Sequence, residues 1–333
     1  MKNLSKVTFL TSMAVGTLMV MCSQTWMGMW MGLEINLLSI IPLITSQKNK
    51  MESEAAMKYF ITQALASAIF LMSIIVLLPL NDQMSKIQYL IMNSAILTKM
   101  GAAPFHFWFP EVIEGLNWTN SVLMLTWQKI APMTVLMQTN KSMIFMSMIM
   151  LTAMVISGLM GINQTSIKKI LAYSSINHTG WMIGAMMTNL NTWLLYFTIY
   201  SLTTINMIMM MKLTKTFSVS QLINSMNNSK MIKLTFLMNF LSMGGIPPFI
   251  GFFPKWITIN SLIDMKMTFT TIIMIISTLM TLFFYIRITM TSMIMSQSEM
   301  TIKEMKLPST LIVKMNIITI LSLVLTPLMI CFI

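Results

Sequence analysis

Apolar runs of bilayer-crossing length follow one another along almost the whole chain, and they constrain its fold more than any single motif does. A spanning helix needs about 20 mostly apolar residues. Eleven segments meet that measure: Val7 to Cys22, Trp26 to Ile44, Ala55 to Leu78, Ile87 to Phe109, Trp118 to Gln138, Met143 to Met160, Ile167 to Met187, Thr192 to Met211, Leu234 to Ser261, Thr268 to Met293 and Ser309 to Phe332. The links are short and polar, the longest running from Lys212 to Lys233, and leave no room for a soluble domain. With 56% hydrophobic and 9% charged residues over 333 positions, the chain is too apolar for a water-solvated surface. Lys2 and Lys6 ahead of the first run mimic a secretory signal, but the remainder is equally apolar and no small-residue cleavage site stands out. The first run therefore reads as a retained helix.

The links carry an orientation signal. Alternating sides from the N-terminus, one side receives Lys2, Lys6, Lys48, Lys50, Lys168, Lys169, Lys212, Lys215, Lys230, Lys233, Lys303 and Lys306, while the other receives Lys86, Lys141 and Lys266. The positive-inside rule then places the N-terminus inside and the C-terminus outside. A missed or false span would scramble this asymmetry, so it also supports the count of about eleven.

Two stretches interrupt the apolar pattern in the same way. Gly101-x-x-Pro104-Phe105-x-x-Trp108-Phe109-Pro110 aligns without a gap to Gly245-x-x-Pro248-Phe249-x-x-Phe252-Phe253-Pro254, 144 positions later. Pro247 precedes the second proline; Lys99 sits before the first copy and Lys255 after the second. Paired interruptions in corresponding halves of a membrane chain point to an ion pathway. Five spans separate the fourth helix from the ninth, and an odd number reverses orientation. The expected fold is all-α and polytopic, with two discontinuous helices and inverted five-helix repeats over 1–140 and 141–295, then a connecting loop and last helix over 296–333. At the same offset Glu34 maps to His178.

Charges inside the apolar runs are few. Glu34, Lys99, Lys129 and Lys255 each stand apart from other charges in their segments. A charge at the centre of a span costs roughly 2.5–3.5 kcal/mol, so four cost on the order of 10 kcal/mol, a cost that usually marks a pathway or a paired site. Snorkelling of a long stem to the interface suits Lys58, Lys168, Lys169 and Lys233; it suits Lys129 and Lys255 badly, because both lie near mid-span. Lysine serves in proton transfer when burial and neighbouring cations disfavour its charge and a nearby carboxylate favours it. Glu34, the only acid deep in a run, is the natural partner of such a lysine. His106 and His178 are the two residues that ordinarily titrate near neutrality, either as relays or as hydrogen-bonded packing groups. Gly28-x-x-x-Gly32 and Gly180-x-x-x-Gly184 read most simply as close helix contacts.

Several chemistries find no support. Cys22 and Cys331 are the only cysteines and lie near opposite ends, so there is no iron–sulfur or zinc spacing, and no glycine-rich phosphate loop follows a strand-like run. Methionine runs such as Met207 to Met211 admit a copper(I) path of thioethers, yet methionine is scattered wherever Leu or Ile would serve. Forty-four methionines and a single arginine, Arg287, are the usage expected of an AT-rich genome reading AUA as methionine. That points to synthesis inside a mitochondrion.

Taken together, Gly28-Met-Trp-Met-Gly-Leu-Glu34-Ile-Asn36, Lys99-Met-Gly-Ala-Ala-Pro-Phe-His106, Trp127-Gln-Lys129-Ile-Ala-Pro, Lys169-Ile-Leu-Ala-Tyr-Ser-Ser-Ile-Asn-His178 and Gly244-Gly-Ile-Pro-Pro-Phe with Lys255-Trp256 resemble the chain 2 family of antiporter-like subunits in mitochondrial NADH:ubiquinone oxidoreductase, respiratory complex I, of the animal, insect type. The match covers nearly the whole chain. The resemblance implies a proton-translocating subunit in the inner-membrane arm, driven by NADH oxidation and ubiquinone reduction in other subunits. NADH, FMN, iron–sulfur clusters and ubiquinone would be bound by those partners and no cofactor or metal by this chain. Its partners would be the other membrane-arm subunits and the lipid bilayer, with no nucleic acid, and its N-terminus would face the matrix. By the same resemblance Glu34 and Lys99 form a switchable pair, Lys129 passes the proton, and Lys255 holds it near the exit half-channel. The family's full pattern has fourteen helices, of which this chain would lack the first three. Two other readings stand beside this one: a stand-alone cation/proton antiporter, and a structural spacer whose charges are relics.

Overall fold

The computed structural model describes residues 2–45, 49–77, 82–139, 142–227, 230–294 and residue 316. Among these the backbone is helical, with one isolated bridge between Ser166 and Ser218. The chain divides into two compact units, Met1–Ile149 and Met150–Ile333.

The first unit opens with a hairpin of α1 (Lys2–Cys22) and α2 (Trp26–Ile44). Thr25 caps α2 by accepting the Gly28 N–H at 3.3 Å. A Cβ added at Gly32 would lie 2.6 Å from the Val20 side chain and 2.9 Å from the Gly16 carbonyl, so the two backbones approach closely there. Gly28 does not share this role. Its neighbours are Ser23 and Thr25 of the local turn, because it occupies the capped first turn. The unit continues through α3 (Lys50–Leu77), α4 (Asp82–Met100), α5 (Trp108–Gly115), α6 (Trp118–Leu125) and α7 (Trp127–Gln138).

Helix α8 (Met143–Ile162) leads into the second unit, which is built around α9 (Ile167–Thr188). From Ser174 to Met187 every residue of α9 is buried. Around it run α10 (Leu190–Thr214), α11 (Val219–Asn227), α12 (Lys230–Gly244), α13 (Phe252–Asp264) and α14 (Thr268–Ile294).

Burial follows the logic of a bilayer rather than of water. Ile144 and Phe269 are 77% and 73% exposed, while Asn36, Gln63 and Asn177 are enclosed. Serine and threonine hydroxyls donate to carbonyls one turn back, as Thr17 does to Ala14 and Ser73 to Phe70, which satisfies a polar group where no water is available. Six described helices (α1 from Leu4, α2, α3, α8, α10 and α14) are long and apolar enough to cross a membrane.

Four stretches depart from unbroken helices or plain links, and the first two are those the sequence marked as interrupted. In the run from Ile87 to Phe109 the helix stops at Met100, and in the one from Leu234 to Ser261 it stops at Gly244 and resumes at Phe252. In both cases the glycine that follows adopts a positive φ, which a continuing helix cannot accommodate. The run from Trp118 to Gln138 divides at Thr126, where φ is −116° and ψ −72°. The link from Lys212 to Lys233 contains α11, whose Val219, Leu222, Ile223 and Met226 fall at helical spacing on a segment too short for the spanning measure. The eleventh run, Ser309 to Phe332, lies outside the described residues except for Asn316.

Candidate functional site

Each of the two interruptions begins with the same helix stop. At the first, the Gly101 N–H donates to the Thr98 carbonyl at 3.1 Å and the Ala102 N–H to Leu97 at 3.1 Å. At the second, Gly245 donates to Ser242 at 3.1 Å and Ile246 to Leu241 at 3.3 Å. This is the Schellman pattern, which demands a left-handed residue after the helix; Gly101 and Gly245 supply it with φ of +69° and +77°. The turns that follow also correspond, Phe105 donating to Ala102 and Phe249 to Ile246, both at 2.9 Å. The peptide bonds preceding Pro104 and Pro248 are cis.

Around the first interruption the exposed end of α4 is met by side chains from distant helices. Gln63 of α3 donates to the Lys99 carbonyl at 3.3 Å, and the Trp108 indole to Thr98 at 3.1 Å. Lys99 is buried in the last turn of α4, where the negative end of the helix dipole favours a cation. It lines a cavity of about 10 Å³, room for one water, together with Leu33, Asn36, Leu37, Tyr59, Gln63, Gln128 and Pro132. The polar members are linked: Tyr59 donates to the Gln128 side-chain oxygen at 3.4 Å, and Gln128 donates to Asn36 at 2.9 Å.

Glu34 stands beside this cavity without lining it. Leu33, Asn36 and Leu37 share one face of α2, and Glu34 lies about 100° round the helix from Leu33. No ion pair is seen between it and Lys99, whereas Lys58 pairs with Glu111 at 2.9 Å and with Glu54 at 3.1 Å. One Glu34 carboxylate oxygen is buried and meets no hydrogen-bond donor among the described residues. Lys58, expected to snorkel, has a partly exposed head that meets the carboxylates of Glu54 and Glu111.

Lys129 is 2% exposed in the first turn of α7, just beyond the division at Thr126. Its ammonium lies 5.5 Å from the centroid of the Phe109 ring, within cation–π range. Phe109 also packs against Gly101, where an added Cβ would lie 3.1 Å from it, so the ring connects the interruption to this lysine. Pro132, inside α7, has no N–H to offer the Gln128 carbonyl one turn back. His106 is buried within the interruption, its Nδ1 3.3 Å from the Pro104 carbonyl.

In the second unit the buried Lys255 reaches back across the interruption and donates to the Gly244 carbonyl at 2.9 Å, again at the C-terminal end of a helix. A Cβ at Gly245 would lie 2.8 Å from the ammonium nitrogen; glycine is needed there for space as well as for φ. His178 is held by Tyr196, whose hydroxyl is 2.9 Å from Nδ1, and its ring centroid is 5.1 Å from that of Tyr200. Lys168, one of the two lysines of α9 expected to snorkel, is buried, with its ammonium 5.1 Å from the Phe217 ring centroid.

The structure thus brings Lys99 into a polar cluster with Asn36, Tyr59, Gln63 and Gln128, none of which the search for charges singled out. In the second unit Asn206, Asn239 and Asn316 hydrogen-bond one another at 2.7–3.1 Å, also unforeseen. Their signal was present: an amide side chain in an apolar run is itself costly unless partnered.

A family model described as NADH:quinone oxidoreductase/Mrp antiporter, TM, matches residues 23–281. The chain is 47% identical over 293 residues to NADH-ubiquinone oxidoreductase chain 2 of Anopheles gambiae, covering 86% of each chain. It is 42% identical to the protein of that name from Aedes aegypti, over 97% of each. Among solved structures it shares its fold with a chain of respiratory complex I from Thermus thermophilus, with a TM-score of 0.86 at 22% identity over 97% of this chain and 78% of that one. It also resembles a chain of the Mrp complex from Dietzia, with a TM-score of 0.75 at 13% identity over 84% of this chain and 59% of that one. With a family model matched over most of its length and relatives so similar from end to end, this chain belongs to the NADH:quinone oxidoreductase/Mrp antiporter family of membrane proteins.

Proposed function

We propose that the chain is a proton-translocating subunit in the membrane arm of respiratory complex I, resident in the mitochondrial inner membrane with its N-terminus on the matrix side. The observation that carries this reading is the placing of Lys99, Lys129 and Lys255. All three are buried, and each lies at a helix interruption or division. A charge so placed has polar backbone and side-chain neighbours, which lower its cost without removing its capacity to exchange a proton.

In this reading α4 with α5 and α12 with α13 are two discontinuous spans of an eleven-helix fold, and the halves are inverted repeats. Lys99 accepts a proton when Glu34 is charged and near, and releases it when that influence weakens. The amide and phenol groups of Asn36, Tyr59, Gln63 and Gln128, with a water in the small cavity, offer a route from Lys99 toward Lys129. Lys255 holds a proton against the Gly244 carbonyl, with His178 and Tyr196 as a separate hydrogen-bonded pair in that unit. His106 has the same relay role at the first interruption. Electron transfer, with NADH, FMN, iron–sulfur clusters and ubiquinone, takes place in partner subunits.

Native purification tests the assignment. The chain is expected to travel with NADH-oxidising partners; isolation as an independent membrane protein would instead favour a stand-alone cation/proton antiporter.

The Glu34 role yields a graded expectation. A carboxylate near a buried lysine favours the lysine's charged form, and losing it favours release of the proton. Glu34→Gln removes that influence at constant size and should reduce coupled turnover several-fold in the assembled complex. Glu34→Asp retains the charge and should be milder. Equal activity of the two variants, measured as proton uptake and NADH oxidation in matched vesicles, would remove the electrostatic switch from the mechanism.

A further inference from the structure

The chain's single arginine takes no part in the reading above. Arg287 lies on α14, and its guanidinium donates to the Ile162 carbonyl at the end of α8. A guanidinium carries five N–H donors in a planar fork, so most of that capacity is left for a ligand. It faces a cavity of about 410 Å³ within the second unit, lined also by Asn163, Gln164 and Thr165 of the α8–α9 link, Val219 and Ile223 of α11, and Thr291.

Depth and charge identify the ligand. Arg287 is nineteen residues (287 − 268) beyond Thr268, the first residue of α14. At about 1.5 Å per residue that is about 29 Å along the helix, close to the roughly 30 Å thickness of the hydrocarbon layer. A helix entering that layer at Thr268 therefore brings this guanidinium to headgroup level. The Val219 N–H donates to Thr165 at 3.1 Å and the Ile167 N–H to Phe217 at 3.0 Å, so the link and the segment before α11 are tied together. Lys168, Lys169, Lys212 and Lys215 flank those two tied segments in sequence. Among the described residues the unit has one acid, Asp264, at the end of α13. The α11 helix adds an apolar wall through Val219 and Ile223, on an amphipathic element suited to the interface plane.

We propose that this cavity binds the phosphodiester headgroup of an anionic phospholipid. Arg287 engages two phosphate oxygens, a geometry its fork fits better than a lysine would. Asn163 donates to an ester or glycerol oxygen, and Val219 and Ile223 receive the first methylenes of the acyl chains. This site requires only that the chain be embedded in a membrane, and so it stands apart from the proton-transfer assignment.

The test uses whatever native assembly the chain purifies with, stripped of loosely held lipid and returned to phosphatidylcholine nanodiscs containing increasing phosphatidylglycerol. Native mass spectrometry then counts retained phosphatidylglycerol. Arg287→Met is expected to weaken retention of one molecule about tenfold or more, as befits a lost charge-assisted pair, and Arg287→Lys to fall between. Asn163→Ala alters only an exposed link residue and should weaken retention by a smaller factor, giving a second readout if the Met variant does not assemble. Phosphatidylcholine retention should be unaffected throughout. Identical phosphatidylglycerol retention in wild type, Arg287→Lys and Asn163→Ala would overturn the proposal. Displacement of the lipid by millimolar inorganic phosphate would overturn it too, assigning the cavity to a soluble anion.

Discussion

Gly251→Ala is expected to abolish accumulation of the folded chain in its assembly, although alanine is the smallest possible change and favours helix. A Cβ at Gly251 would stand 1.8 Å from the Ser242 carbonyl oxygen and 2.9 Å from its carbon. Both are backbone atoms of α12, so relief requires moving the helix rather than rotating a side chain. Overpacking of even adaptable cores costs about 1–3 kcal/mol, and a clash with fixed backbone should exceed that range. Gly244→Ala is the control, because its Cβ would meet Tyr285 at 3.7 Å and Leu282 at 3.9 Å, ordinary contact distances. The measurement is the amount of assembled complex on native gels. Equal amounts for Gly251→Ala and Gly244→Ala would show that the second interruption is not as tightly closed as described.

Lys255→Met is expected to remove this chain's share of proton transfer while the assembly survives. Methionine retains much of the stem's apolar bulk but cannot carry a proton or donate to the Gly244 carbonyl. Losing that one donor costs roughly 1–3 kcal/mol, which the packing around the buried Lys255 side chain should tolerate, whereas a missing titratable group interrupts transfer completely. Proton movement per electron in reconstituted vesicles is the decisive quantity. An unchanged ratio would reduce Lys255 to a helix-end cap, a role its position beside the negative end of α12 could fill by itself. Lys255→Arg separates the two: it restores the charge and a donor but does not release protons, so a cap would be rescued and a proton carrier would not.

These two residues lie four positions apart, and they differ in how far the sequence discloses them. Lys255 was visible because a charge in an apolar run is costly wherever the chain folds. Gly251 was not, because nothing local marks it: at the equivalent place in the first interruption stands Phe107, a bulky residue 71% exposed. The same separation runs through the whole candidate site. Gly101 and Gly245 were readable as stops, since a left-handed turn after a helix is a property of a few consecutive residues. Lys99, Lys129, His106, His178 and Glu34 were readable as residue types out of place. Their neighbours were not.

The sequence by itself determined the bilayer as solvent, the all-helical class and the two matched interruptions, because hydropathy over about twenty residues and glycine stereochemistry are local quantities. Only the tertiary structure decided that Lys58 pairs with Glu111, 53 positions away, that α6 and α7 separate at Thr126, where neither glycine nor proline stands, and that Asn36, Tyr59, Gln63 and Gln128 converge beside Lys99 from three helices. It also turned Glu34 away from contact with Lys99. The reason is geometric: a helix turns by about 100° per residue, so which of its faces meets which neighbour depends on rotations and crossings that only packing between distant segments sets.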